Sequence, residues 1–379
     1  MDLNRAILQS LADGRFHSGQ ALAVALGVSR TAVWKRIAAL EGMGLDVYAI
    51  RGRGYRLAAP AEPFSAAAIA ESLPEATRSR IAPIEVLFDT ASTNQHLLDS
   101  DAVHGRAVLA EFQGAGRGRR GNRWVSPVAG GICLSVGWHF PAAPDSLVLV
   151  SLLAGAAAVR ALEICDGGPL GLKWPNDIVS DGRKLGGILI ETRGQIAGPV
   201  DVVVGIGLNV RLPSRARQDI DQPVTDLAAI CRTLPSRNRI AAAVIAEVVL
   251  MLAGAGSGIW DEYLREWRRR DAVRGREVRL LLPGREVHGT AEDVDPSGLL
   301  LLRVQDELKT RTGIDVPVTD LFKCPTVETL AARLRELRRG DHPVVESQPI
   351  ETRVAARHDA LAQLAQRRRR ATSDRDRVQ

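Results

Sequence analysis

A multidomain α+β chain is the predicted fold class, and three observations predict it. Near the N-terminus, apolar residues recur at helical spacing between serine and glycine punctuation, and two short strand-like runs follow. From residue 84, short apolar runs of strand character alternate with longer apolar runs of helix character. Past residue 271, a turn-rich β pattern gives way to helical spacing and then to a polar, arginine-rich run. The expected organisation is a helical unit over residues 1–58, a linker over 59–83 and a large domain over 84–270. A small β module over 271–304, a helical segment over 305–340 and a disordered basic tail over 341–379 follow.

In residues 1–58, Leu3, Ile7, Leu8 and Leu11 share one helical face, and Gly14 is placed to end that helix. Ser18 can cap a helix from Gln20 to Leu26 that Gly27 stops, and Ser29 can cap a third from Arg30 to Glu41 stopped by Gly42. Val33, Ile37 and Leu40 give the third helix its inward face. Val47 to Ile50 and Tyr55 to Leu57 read as strands around Arg51-Gly52-Arg53-Gly54. A short helix, a tight turn, a polar-fronted helix and a basic hairpin form the winged helix-turn-helix pattern of a DNA-binding domain. The residues assigned to DNA are Ser29, Arg30, Thr31, Trp34, Lys35, Arg36, Arg51 and Arg53. A plain three-helix bundle with a charged face is the alternative.

In the large domain, Ile84–Phe88, Arg106–Glu111, Ile132–Trp138, Lys184–Glu191 and Val202–Gly207 read as strands. Leu147–Ile164, Ile240–Leu252 and a segment around Tyr263 read as helices. No convincing G-x-G after an early strand with a downstream acid is present, which sets a dinucleotide fold aside. In the β module, strands are expected over Glu277–Leu282, Val287–Glu292 and Leu299–Val304, with turns at Pro283-Gly284 and Asp295-Pro296-Ser297-Gly298. The tail carries Arg367-Arg368-Arg369-Arg370.

Composition narrows the class. A net charge of +6 over 379 residues allows a polyanionic partner without requiring one. Cys133, Cys165, Cys231 and Cys324 are scattered, with no C-x-x-C spacing. They fit reduced thiols in a cytoplasmic protein and argue against disulfides or a zinc site, so no metal ligands are assigned. The N-terminus lacks the pattern of a signal peptide. The apolar stretches around Leu147–Val159 and Ile240–Leu252 read as too short or too interrupted to span a bilayer, so no membrane partner is expected.

Chemistry concentrates in a few segments. Gln113-Gly114-Ala115-Gly116-Arg117-Gly118-Arg119-Arg120-Gly121-Asn122-Arg123-Trp124 interleaves glycines, which let backbone approach a ligand, with arginines, whose forked cation suits phosphate. A solvated basic loop would read the same way. Ser92-Thr93-Asn94 at a strand end suits a ligand with ureido or carbonyl groups, or plain helix capping. Lys173-Trp174-Pro175-Asn176-Asp177 gathers cation, aromatic, amide and carboxylate, and Lys184-Leu185-Gly186-Gly187-Ile188 sets a lysine at a strand mouth.

These segments, with Gly205-Ile206-Gly207-Leu208-Asn209-Val210, make the chain over about residues 1–304 resemble the biotin–protein ligases that also repress the biotin operon. The resemblance implies a central domain related to class II aminoacyl-tRNA synthetases and an SH3-like β module, here expected to be short of strands. It implies that biotin, ATP and Mg²⁺ give biotinyl-5′-AMP, which biotinylates a lysine of biotin carboxyl carrier protein. Biotin is thus substrate and corepressor precursor, and adenylate loading promotes a homodimer on operator DNA. It assigns biotin to Ser92, Thr93, Asn94, Gln113, Gly116, Arg117, Gly118, Arg119 and Lys184. ATP falls to Arg117, Arg119, Arg120, Trp124, Asn176 and Asn209, and catalysis to Lys184, Arg119 and Asp177. Loop 114–123 is expected to order over the adenylate.

Residues 299–337 resemble the C-terminal half of a peptide-synthetase carrier domain, through Leu300–Leu308, Thr312–Phe322 and Pro325–Leu334. Ser297 stands near the position of the modified serine. Three rival functions follow. They are a biotin-sensing repressor with impaired catalysis from a truncated third domain, a lipoate-type acyltransferase, and a carrier function held by the tail.

Overall fold

The computed structural model describes residues 2–144, 146–194, 198–282, 285–303 and 327–338. Two units make up the chain, Met1–Arg303 and Val304–Gln379. In the second, the described residues form one helix, Val327–Arg338, which overlaps the Pro325–Leu334 run of the carrier-like segment. The rest of that segment and the basic tail lie outside the described residues.

In the first unit, α1 (Leu3–Leu11), α2 (Gly19–Leu26) and α3 (Arg30–Gly42) begin at Asp2, Ser18 and Ser29. Each of these caps accepts a hydrogen bond from an otherwise unpaired N–H of the first turn. Gly27 ends α2 at φ 65°. Two expected stops shift. α1 ends at Leu11 before Gly14, and α3 runs through Gly42. Gly44, at φ 88°, takes the left-handed position instead, and Leu45 N donates to Leu40 O at 3.0 Å. β1 (Val47–Ile50) and β2 (Gly54–Leu57) pair antiparallel as the wing. His17 and Tyr55 add a backbone bridge to the wing. Ile7, Leu8, Leu11, Val33, Ile37 and Leu40 form the core of this part, and Phe88 and Val128 of the large domain join it.

The linker carries α4 (Ala66–Ser72) and α5 (Glu75–Arg78). Seven strands then build one sheet in the order β3-β4-β5-β9-β8-β7-β6. They are β3 (Glu85–Thr90), β4 (Ala107–Gln113), β5 (Gly131–Phe140), β6 (Gly171–Lys173), β7 (Asp177–Ser180), β8 (Arg183–Gly194) and β9 (Val200–Asn209). β3 and β4 are parallel and every other neighbouring pair is antiparallel. The two shortest strands, β6 and β7, are missing from the sequence reading, because three or four residues show too little alternation to register.

α6 (Thr93–Leu98) follows β3, and α7 (Leu147–Ala161) follows β5 with a 3₁₀ turn, Leu162–Ile164. α8 (Ser214–Gln218), α9 (Leu227–Ile230), α10 (Arg237–Ala253) and α11 (Ile259–Arg269) complete the helices of the large domain. α7, α10 and α11 share one core with the inward residues of β5, β8 and β9. α6 packs with Leu97 on a separate cluster that includes Val103, Val108 and Val203. The apolar helix needs a correction. Leu147–Ile164 spans 18 residues at mean hydropathy 2.0, long and apolar enough by those measures to cross a membrane. Its composition is explained by burial, since α7 is covered along most of its length by the core of this domain.

β10 (Glu277–Leu282), β11 (Arg285–Val294) and β12 (Leu300–Arg303) form a three-stranded antiparallel sheet. The turn Asp295–Gly298 is as expected, with Gly298 at φ 84° and Ser297 N donating to Asp295 Oδ1 at 2.8 Å. The Pro283-Gly284 turn lies outside the described residues. Trp174 Nε1 donates to Gly298 O at 3.0 Å and so ties this module to the large domain.

Candidate active site

A cavity of about 570 Å³ opens on the sheet beside α6. Alternation along β5 sends Ile132 and Leu134 into the main core, while Cys133 and Ser135 are turned to the other face. Burial pushes the Cys133 thiol, which lines the cavity, up to about 11.

Ser92 caps α6, and the two residues after it enter a buried network. Gln113 Oε1 accepts from Thr93 N at 2.8 Å and Thr93 Oγ1 at 3.1 Å. Ser135 Oγ stands within hydrogen-bond distance of both Thr93 Oγ1 (2.7 Å) and Asn94 Oδ1 (2.6 Å), its single proton serving one of them. Asn94 Nδ2 reaches Leu189 O at 3.2 Å and Glu191 Oε2 at 2.9 Å. Only a glycine at 205 leaves room for this, since a Cβ there would stand 2.3 Å from Asn94 Oδ1.

The Gly/Arg loop is folded as a hairpin over the cavity. Gly118 N donates to Asn122 O at 2.7 Å and Trp124 N to Gly116 O at 2.9 Å. The 3₁₀ turn Arg119–Gly121 at its tip puts Arg120 at φ 56°. Trp124 then packs against β9, where a Cβ on Gly207 would meet its ring at 2.4 Å.

Opposite the loop, Lys184 Nζ pairs with Asp177 Oδ1 at 2.8 Å and sits 5.9 Å from the Trp124 ring centroid. Asn209 braces this corner, donating to Thr225 O at 3.0 Å and Lys184 O at 3.5 Å. Asn176 Nδ2 donates to Ile188 O at 2.8 Å and so fixes the chain just before Asp177. Partial burial, with Arg120 nearby, lowers the Arg119 pKa against the pull of Asp177.

The fold thus gathers residues far apart in sequence. Ser92, Thr93, Asn94, Gln113, Arg117, Gly118, Arg119, Trp124, Asn176, Asp177, Lys184 and Asn209 all line the cavity. Two assigned residues are not among its lining. Gly116 is buried, with no space for a Cβ against Trp124 O at 2.6 Å, and Arg120 faces solvent at the loop tip. The sequence reading missed Cys133, Ser135, Glu191 and the segment Asp219–Val224, part of which forms a rim of the cavity. Period-two alternation from Gly187 through Leu189 was a signal that could have pointed to Glu191. On the wing side, Ser29, Arg30, Thr31, Trp34, Lys35, Arg36, Arg51 and Arg53 are all exposed. Arg53 stacks on Phe16 at 4.2 Å.

The chain matches the Biotin/lipoate A/B protein ligase family over residues 86–209 and an HTH domain over residues 4–56. It matches the Biotin protein ligase C terminal domain over 274–314 and a Phosphopantetheine attachment site over 299–334, two stretches that overlap. It is 33% identical over 312 residues to the Bifunctional ligase/repressor BirA of Salmonella typhimurium, covering 82% of this chain and 95% of that protein. It is 36% identical over 233 residues to the Biotin--[acetyl-CoA-carboxylase] ligase of Mycobacterium tuberculosis, covering 58% of this chain and 83% of that protein. The solved biotin protein ligase from Aquifex aeolicus in complex with biotin and ATP superposes with TM-score 0.50 at 25% identity. The alignment covers 59% of this chain and 92% of that one.

Proposed function

This chain belongs to the family of bifunctional biotin–protein ligases and repressors, and from that premise we propose how its residues divide the work. It is a biotin ligase with a DNA-binding repressor domain. Biotin and ATP are its substrates, and the acceptor we propose is a lysine of biotin carboxyl carrier protein. The observation that carries the reading is the Lys184–Asp177 pair, 2.8 Å apart, facing a glycine- and arginine-rich hairpin across one cavity.

In the first step a biotin carboxylate oxygen attacks the α-phosphorus of ATP, and the bond to pyrophosphate breaks. Two anions must meet, so the main task is to neutralise charge and hold geometry. Lys184, Arg117 and Arg119 supply the cations. Thr93 and Gln113 form one wall of the cavity and suit the ureido ring, with Ser92 beside them. Trp124, packed against Gly207 of β9 and lining the cavity, suits adenine. In the second step the acceptor amine attacks the acyl carbon and AMP leaves. Asp177, beside Lys184 on the cavity, is the residue we assign to orient that amine or take its proton.

Mg²⁺ is proposed to come with the ATP phosphates, whose charge it would neutralise. Among the described residues no group of three or more His, Cys, Asp or Glu side chains gathers as a cage. Asp219 and Asp221 on the cavity rim are carboxylates that could touch it, as suits an ion usually held by phosphates and one or two carboxylates. Homodimer formation on adenylate loading belongs to the same proposal.

A repressor with impaired catalysis has less support, because the Salmonella relative, matched over 95% of its length, is named as both ligase and repressor. The test is incubation with biotin, ATP and Mg²⁺, with mass spectrometry for biotinyl-AMP and for a biotinylated carrier lysine. Binding of biotin and ATP without pyrophosphate release would favour the sensing repressor instead.

A further inference from the structure

Glu191 is a carboxylate that the reaction scheme above leaves without a task. It lies on β8, two residues past the cavity-lining Leu189, and is not itself part of the lining. Arg117 Nη2 approaches both of its oxygens at 3.1 Å, and the same nitrogen donates to Gln95 Oε1 at 3.1 Å. On its other side Glu191 Oε2 accepts from Asn94 Nδ2 at 2.9 Å. Asn94 leads through Ser135 to Thr93 and Gln113, the wall assigned to the ureido ring.

We propose that Glu191 is a positioning residue that latches the Gly/Arg hairpin to the wall assigned to biotin. This inference rests on the ligase reading and deepens it. Arg117 is the root of the hairpin, bridged to Arg123 across it, so anchoring Arg117 anchors the whole element. The loop bears four arginines, Arg117, Arg119, Arg120 and Arg123, whose mutual repulsion favours opening. Glu191 offsets part of the Arg117 charge at the root, while Arg117 and Arg119 both still line the cavity. A carboxylate suits this because Glu191 Oε2 accepts from both Arg117 and Asn94 while Oε1 also faces Arg117, whereas a glutamine carries no charge to pair with the arginine and would turn an NH₂ donor toward it. The latch would couple the ureido wall to the loop, since Asn94 and Arg117 both meet one side chain.

The test uses the full chain with Glu191→Gln, read by trypsin cleavage at the loop arginines without substrates. The expected result is loop cleavage faster by roughly threefold to tenfold, the range for a partly exposed charge-assisted contact. Steady-state adenylation should show KM for biotin raised by a similar factor with kcat nearly unchanged, and Glu191→Asp should recover part of the loss. Gln95→Ala, which removes the second acceptor on Arg117, should raise cleavage in the same direction by less. The double variant Glu191→Gln, Arg117→Gln should cleave no faster than the faster single variant. Unchanged cleavage and KM in Glu191→Gln, or additive effects in the double variant, would overturn the latch. Cleavage without substrates does not depend on catalysis. If biotin and ATP together fail to protect the loop of the parent chain, the ligase reading fails separately.

Discussion

Lys184 Nζ and Asp177 Oδ1 stand 2.8 Å apart, each side chain about four-fifths covered, at the mouth of strands that pair through Asp177 and Gly187. On the proposed mechanism one charge favours an approaching phosphate and the other an approaching amine. Replacing Lys184 by Ala should slow pyrophosphate release by about a hundredfold to a thousandfold, the usual cost of losing one group that stabilises developing charge. The fold should persist, because the β8–β9 ladder does not depend on the side chain. An unchanged rate of pyrophosphate release would remove Lys184 from catalysis.

Arg119 lines the cavity from the hairpin. Arg119→Gly should slow adenylate synthesis less than Lys184→Ala does, since Lys184 and Arg117 remain, while letting the product escape. The expected sign is a faster adenylate off-rate and more labelling of nonspecific lysines. Retention equal to that of the parent chain would show that the loop does not hold the intermediate.

Arg237 and Glu111 form an ion pair of 3.0 Å that is almost wholly covered, with side chains 6% and 2% exposed. Arg237 also donates to Glu62 O and Gly131 O, and Glu111 accepts from Phe64 N, so linker, β4 and β5 meet there. Arg237→Ala strands a buried carboxylate and should cost about 3–5 kcal/mol of stability. Urea unfolding followed by circular dichroism checks this, and a loss under about 1 kcal/mol would mean that water reaches Glu111.

Residues 1–58 should bind duplex DNA through α3 and the wing, more tightly when biotin and ATP are present. Arg53→Ala should weaken binding to all sequences alike and lower the slope of log K against log salt by about 0.9, one phosphate contact. The stack of Arg53 on Phe16 orders the guanidinium in advance, which favours that contact. Identical salt slopes for the parent, Arg51→Ala and Arg53→Ala would take the wing out of the interface.

Ser297 should not carry phosphopantetheine. A carrier serine needs an exposed helix start, whereas Ser297 Oγ donates to Asp295 Oδ1 at 2.6 Å inside a tight turn. The next residue, Gly298, sits where a Cβ would come within 2.9 Å of the Leu149 backbone. Coenzyme A with a broad-specificity transferase should leave the serine unmodified by peptide mass mapping. Truncation after Val304 should leave adenylate synthesis intact, and its loss would show that later residues complete the β module.

Local chemistry determined a good deal of this protein. Serine caps and a left-handed Gly27 mark the helices of the DNA-binding part, because those groups satisfy orphan N–H and C=O groups within a few residues. The spacing of glycine, arginine and lysine segments likewise exposed most of the cavity lining. Tertiary structure alone decided which polar groups meet. Asn94 reaches Glu191 across 97 positions and Arg117 reaches it across 74, and only the β8–β9–β5 ladder carries the register that joins them. Ser135 and Glu191 look like ordinary strand residues until neighbouring strands fix which face is covered. Alternation tells a strand that it has two faces, and packing decides which one holds the site.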